Sequence, residues 1–164
     1  NLVLEVAKKE YDLDVVLGAA GTAYEAAKAI AEADVPVLLG SPLVISTSDG
    51  PVNVFGEFRT AGCRVLLRTS VGAEAASLPT VMAHAVTRGV GSGEILRALT
   101  SDMVDVMHLE NMGELVPGND ADLTLFDGPP FYPGSEVVGV MIQGDWVYLD
   151  RRYRKLASAS EDKE

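Results

Sequence analysis

The chain has 164 residues, 48% of them hydrophobic and 23% charged, which suits a globular domain with a real core and excludes wholesale disorder. A chain of this length buries roughly 70% of its unfolded surface on folding. Its formal charge of −11 and pI near 4.5 exclude nucleic acid as a partner, because phosphates would be repelled. No apolar run approaches the ~20 residues needed to span a bilayer, so membrane insertion is not expected. No charged-then-apolar leader is expected either. Cys63 is the single cysteine, which rules out an internal disulfide and leaves the compartment undetermined. The chain begins at Asn1 rather than Met, which fits a processed product, a trimmed chain or a piece of a longer polypeptide equally well.

In chain order, residues 2–10 read as the end of a helix, with Leu2, Val3, Val6 and Ala7 on one side. Residues 13–17 form a short apolar strand that stops at Gly18. Thr22 and Glu25 make a capping box for a helix over 23–33, with Tyr24, Ala27, Ile30 and Ala31 on its buried stripe. Residues 35–39, Val-Pro-Val-Leu-Leu, are a continuous apolar run of the kind buried on both faces of a parallel sheet. Strand, helix, strand with short joints is a βαβ unit. Residues 40–53, rich in Ser, Pro, Asp and Gly, read as a long functional-side loop, with Asp49-Gly50-Pro51 a turn.

A short helix is expected over 53–61, ended by Gly62, and a third apolar strand over 64–69 centred on Val65, Leu66 and Leu67. Helices follow at 78–88, 92–100 and 101–109. The last strands are 121–126, 137–142 and 146–149, the final pair joined by a Gln143-Gly144-Asp145 turn. The tail after Tyr153 is small and charged, and is expected to be disordered. No internal repeats are present.

Residues 113–128, Gly-Glu-Leu-Val-Pro-Gly-Asn-Asp-Ala-Asp-Leu-Thr-Leu-Phe-Asp-Gly, carry the most specific signal. They resemble the G-x-L-x-P-G-x-D-A-D-L-x-x-x-D segment near the end of metal-dependent amidohydrolases, close to the imidazolonepropionase-like branch. Further resemblances run in the same order along the chain. They comprise the unit ending in Val35-Pro-Val-Leu-Leu-Gly40, Gly62 to Arg68, Gly72 to Pro79, Glu94 to Thr100, and the closing hairpin 137–149.

The resemblance implies an α/β fold: the second half of a (β/α)8 TIM-like barrel over 1–112, followed by strands of a small β-sandwich domain over 113–152 and a tail over 153–164. A complete barrel of this kind needs about 250 residues and keeps its reacting groups at the C-terminal strand ends. The pocket rim implied here is Gly18, Gly21, Gly40, Ser41, Thr69, Ser70 and Glu74.

In this family divalent metals are held by a His-x-His, further middle-strand ligands and an Asp closing the last barrel strand. Such a centre needs several nitrogen and oxygen donors at one point, and a carboxylate to take the water's proton. No His-x-His occurs in the sequence, and the family's Asp falls at Ser70, a neutral hydroxyl. Arg68 adds positive charge beside the place a cation would take. His84 reads as a structural or surface residue of its helix, and His108 as a complement to a helix dipole. Asp120, Asp122 and Asp127 read as turn and capping residues, and Cys63 as a buried hydrophobe. Arg151, Arg152, Arg154 and Lys155 read as a solvated strand end.

The expectations are therefore no catalytic residue, no metal ligand and no cofactor in this chain, and a structural or assembly role for a degenerate amidohydrolase-like half. The alternative is a hydrolase of amide or cyclic C–N bonds whose metal ligands, for zinc or a similar ion, come from a companion chain. A weaker third reading is a small-molecule binding module. The open sheet edges of a half barrel call for a partner: a companion polypeptide carrying the N-terminal half, or further copies of this chain.

Overall fold

A computed structural model describes residues 10, 11, 13–19, 21–68, 78–132 and 134–154. The expected helix end at 2–10 falls largely outside these residues. So do Thr69, Ser70, Glu74 and all but the start of the tail.

Three short strands, β1 (Leu17–Ala19), β2 (Val37–Leu39) and β5 (Val65–Leu67), form a parallel sheet in that order. Their register aligns Leu17, Val37 and Val65 in one row, Gly18, Leu38 and Leu66 in the next, and Ala19, Leu39 and Leu67 in the third. A 3-10 turn over Gly21–Ala26 and the helix α1 (Ala27–Glu32) cross from β1 to β2. A hairpin of β3 (Val44–Thr47) and β4 (Gly50–Asn53), then α2 (Val54–Thr60), cross from β2 to β5. After β5 come α3 (Leu78–Thr87), α4 (Ser92–Leu99) and α5 (Ser101–Val106). An antiparallel meander follows, of β6 (Leu123–Phe126), β7 (Val137–Ile142) and β8 (Asp145–Leu149).

Side chains alternate across a strand, so the sheet has two distinct faces. Ala19, Val37, Leu39, Val65 and Leu67 point into one buried cluster with Ile30, Phe55, Phe58, Met82, Ile95 and Ala98 from the helices. Phe55 and Phe58 have 1% and 0% of their surface exposed, a burial worth about 1.5–3 kcal/mol each. Gly18, Leu38 and Leu66 lie on the opposite face; Leu66 is buried yet stands outside that cluster.

Four helices stop in the same way. After α2, Gly62 adopts φ +94, its N–H donates to Arg59 O, and the Cys63 N–H donates to Phe58 O. This is a Schellman cap, in which a left-handed residue turns the chain and the next residue covers the helix end. Gly89 with Val90 repeats it after α3, Asp34 with Val35 after α1, and His108 with Leu109 after α5. The covering residues Val35, Cys63 and Val90 are buried, whereas Leu109 is 47% exposed.

Three expectations need correction. The first strand is Leu17–Ala19 rather than 13–17, and Leu13 and Val16 are exposed. Pairing decides this: the Leu17 N–H bonds to Pro36 O, which sets Gly18 and Ala19 inside the ladder. Thr22 and Glu25 do not start the helix as a capping box. Gly21, at φ +57, opens a turn one residue earlier and takes Thr22 into it. Residues 40–53 are not a long loop, because Val44, Ile45, Thr47 and Val52 supply a hairpin around Ser48-Asp49. Thr47 ties that turn, its hydroxyl donating to Gly50 O at 2.8 Å and accepting from the Asp49 N–H.

The remaining elements follow their local chemistry. The Asn53 side chain accepts from the Gly56 N–H at 2.9 Å and so caps α2, as Asn does well at this position. Gln143 and Gly144, at φ +51 and +88, form a two-residue turn whose twist matches the strands it joins. Asp122 Oδ1 accepts from the Gln143 N–H at 2.7 Å, and Asp127 Oδ1 from the Glu136 N–H at 2.8 Å. Both carboxylates thus hold backbone turns, as the sequence suggested. Asp150 fixes the strand exit: Arg152 Nε and Nη2 donate to its two oxygens at 3.1 and 3.2 Å. Glu136 accepts from the same guanidinium at 3.2 Å, and Tyr153 lies under it at 5.7 Å. Arg152 is therefore a clamp at a strand end that stays solvated, its side chain 56% exposed.

Two glycine substitutions have opposite expected signs. Gly62→Ala forces a side chain into the left-handed region and lowers unfolding free energy by about 1–2 kcal/mol. Gly93→Ala, in α4 with open space around it, raises unfolding free energy by a few tenths to about 1 kcal/mol. Urea denaturation of both variants checks the pair. The hydrogen bonds from Arg152 hold the Asp150 carboxyl below its ordinary value of 3.8. That contribution is present above the unfolded-state value and is lost as pH falls through the folded one. NMR titration of Arg152→Ala should show the Asp150 carboxyl moving up toward 3.8, and a smaller fall in stability on acidification.

Candidate functional site

In a parallel sheet covered by helices, ligands meet the carboxyl ends of the strands, where successive loops diverge. Here those ends are Ala19, Gly40 and Arg68. The ladder continues to them: the Gly40 N–H donates to Ala19 O at 3.3 Å and the Arg68 N–H to Leu39 O at 3.1 Å. Alternation then sets Gly40 and Arg68 on the face of Gly18, Leu38 and Leu66, away from the helices. The guanidinium lies across Gly40. A methyl built there would sit 3.4–3.6 Å from its Nη2, Cζ and Nε atoms, so any larger side chain would compete for the same space.

The expected rim divides. Gly18 is exposed and Gly21 half-buried, and a Cβ on either would meet nothing within 4 Å, so this corner of the mouth is open. Gly40 stays at the mouth beneath Arg68. Ser41 instead lines a cavity of about 270 Å³ with Pro42, Leu43, Val44, Thr80, Val81, His84 and Ala85. That cavity lies between the hairpin connection and α3. It is walled mainly by aliphatic groups, and His84 is its one titratable residue. His84 was expected to be structural or at the surface; it is exposed and at the same time borders this space. Thr69, Ser70 and Glu74 lie outside the described residues.

A second, more open groove of about 500 Å³ sits at the opposite end of the sheet, lined by Arg59, Thr60, Gly62, Cys63, Arg64 and Glu94. Its cations are matched: Arg59 faces Glu94 and Asp102, each at 3.8 Å, and Arg64 faces Asp34 at 3.7 Å. The Cys63 thiol donates to Ala27 O at 3.3 Å, and burial pushes its pKa up.

The described strand-end residues, Ala19, Gly40 and Arg68, carry no side chain that holds a divalent metal. Among the described residues no three His, Cys, Asp or Glu converge, and the mouth offers glycine, alanine and a guanidinium, none of which donates an electron pair from its side chain. His108 is elsewhere, its Nε2 2.8 Å from Asp14 Oδ2, with both side chains largely exposed. This pair links the segment before β1 to the end of α5. Leu13, Val16, Met107 and Leu109, its neighbours in sequence, are exposed. Among the described residues no helix is long and apolar enough to cross a membrane.

Comparison with protein-family models and with curated proteins gives no match. Solved structures do match. An amidohydrolase from Thermotoga maritima superposes with a TM-score of 0.75 and 26% identity, over 87% of this chain and 39% of that one. A β-aspartyl dipeptidase from Fervidobacterium islandicum, in complex with a β-Asp-Leu dipeptide, gives 0.58 and 18% over 77% and 36%. A prolidase complexed with N-methylphosphonate-L-proline gives 0.58 and 19% over 82% and 41%. These neighbours belong to the amidohydrolase superfamily, and the chain spans about two-fifths of their length. Its α/β fold matches that part of them.

Cys63 gives a direct check on the packing beneath the second groove. In the native chain at pH 8 a thiol reagent should label it far more slowly than in urea, because the thiol is buried and less readily ionised. Equal rates in both conditions would contradict the packing described.

Proposed function

We propose that this chain is the C-terminal half of an amidohydrolase-like barrel of the imidazolonepropionase-like branch. In this reading residues 1–112 are the barrel portion and 113–152 contribute strands to a small composite β-domain. The half is catalytically degenerate and its role is structural: it supplies part of a barrel wall, completed by a companion polypeptide with the other strands or by another copy. The observation that carries this is the likeness to the Thermotoga maritima structure over 87% of the chain, joined to strand ends that present Arg68 and, among the described residues, no metal ligand.

Packing supports a partner. Among the described residues β1 and β5 each pair on one side only, which leaves polar backbone groups without a strand neighbour. Gly18 and Leu38 face away from the helices, and neither is fully covered. In the meander, Trp146 and Leu149 lie over Gly139 beside Leu125, close enough that a methyl at Gly139 would be 2.8 Å from the indole. All three of these large side chains are only partly buried, as expected for one layer of a sandwich.

A second reading keeps the chemistry: hydrolysis of amide or cyclic C–N bonds, with the metal held by the companion. The names of the structural neighbours, a dipeptidase and a prolidase among them, favour it. Two measurements on the protein purified with whatever binds it separate the cases. Light scattering is expected to give an assembly heavier than the 17.3 kDa chain; a well-folded monomer of that mass would overturn the shared barrel wall. Metal analysis is expected to find no stoichiometric zinc, manganese or iron. A full complement, with hydrolysis lost on chelation, would replace degeneracy with the second reading.

A further inference from the structure

We propose that the strand-end surface formed by Arg68 and Gly40 is a binding site for a small carboxylate, with the guanidinium as its anion-recognising group. Three observations carry it. Arg68 follows directly on β5, and alternation turns it to the sheet face opposite the helical core, with Gly18, Leu38 and Leu66. Its guanidinium lies over Gly40 at the end of the neighbouring strand, where a Cβ would sit 3.4–3.6 Å from three of its atoms, so glycine there leaves the fork its place.

The third observation is electrostatic. The chain has 24 acidic residues against 13 basic ones, and two of its other cations beside strand ends are taken up. Arg64, at the far end of β5, faces Asp34, and Arg152 faces Asp127, Glu136 and Asp150. Arg68 has no carboxylate within 4.0 Å among the described residues. Other arginines share that condition, namely Arg88, Arg97, Arg151 and Arg154. They lie on a helix, in the turn after α3, or beyond β8, and Arg68 stands at the carboxyl end of a parallel strand.

Guanidinium and carboxylate are matched in shape, forming two parallel N–H···O bonds that an ammonium cannot reproduce. The open corner at Gly18 and Gly21 leaves the rest of such a ligand a way in. The proposal rests on the barrel reading only for what walls the far side of the ligand; the anion-recognising half is in this chain.

The test is an NMR titration of the 15N-labelled full chain, following arginine Nε–Hε resonances as N-acetylglycinate is added. Neutral N-acetylglycinamide serves as the control. One arginine resonance should shift and saturate with the carboxylate and stay still with the amide. It should vanish in Arg68→Met, with affinity falling about tenfold or more. Arg68→Lys should weaken binding by less. Gly40→Val, which displaces the guanidinium and leaves its charge in place, should weaken binding as well. Equal affinity in wild type and Arg68→Met, or a small unsaturable drift of all arginines together, would overturn the site. The titration is independent of light scattering and metal analysis. Saturable binding by a 17.3 kDa monomer would support the site while overturning the shared barrel wall.

Discussion

The alternation of side chains along β1, β2 and β5 is the constraint from which the rest of the structure follows. One set, Val37, Leu39, Val65 and Leu67, is sealed by the aromatic and aliphatic side chains of the helices. The other set faces the opposite way and carries the glycine of β1, the central leucines and, at the strand ends, a guanidinium on a glycine. A one-residue slip in register would exchange the two sets, leaving Leu39 and Leu67 without cover and driving Arg68 into the helical core. Core packing and the chemistry of the mouth are therefore fixed by the same pairing.

The parts of the fold most legible in the sequence were those where local and tertiary preference agree. Val37-Leu38-Leu39 and Val65-Leu66-Leu67 are continuous apolar runs, and they are central to the parallel sheet. Asn53 and Gly62 bracket α2, the one with a side-chain acceptor and the other with a backbone free to take positive φ. The failures have equally local causes. Gly18 and Ala19 have little strand propensity, so the pairing that makes them a strand left no mark in composition. The hairpin at 44–53 was hidden by Ser, Pro, Asp and Gly, although Val44, Ile45 and Val52 held its signal.

The candidate site was legible only in part. Gly40 and Ser41 are neighbours in sequence, and both were placed on one rim. The chain turns between them, so one lies under Arg68 and the other lines the aliphatic cavity beside His84. Nothing in the sequence marks that turn apart from Pro42. Arg68 itself was visible only as an obstacle to a cation. Its relation to Gly40 depends on two strands separated by 28 positions, which no short motif can report.

The repeated helix ending has a consequence for how firmly each helix end is held. Val35, Cys63 and Val90 each close a helix and are hidden in doing so, whereas Leu109 performs the same closure and stays half bare. Hydrocarbon left wet at an otherwise standard joint forgoes the burial that the other three joints gain, so this helix end is held less firmly than they are. The tie between Asp14 and His108 fastens residues 94 positions apart beside that same joint, a polar link in water where the other three joints have a packed side chain.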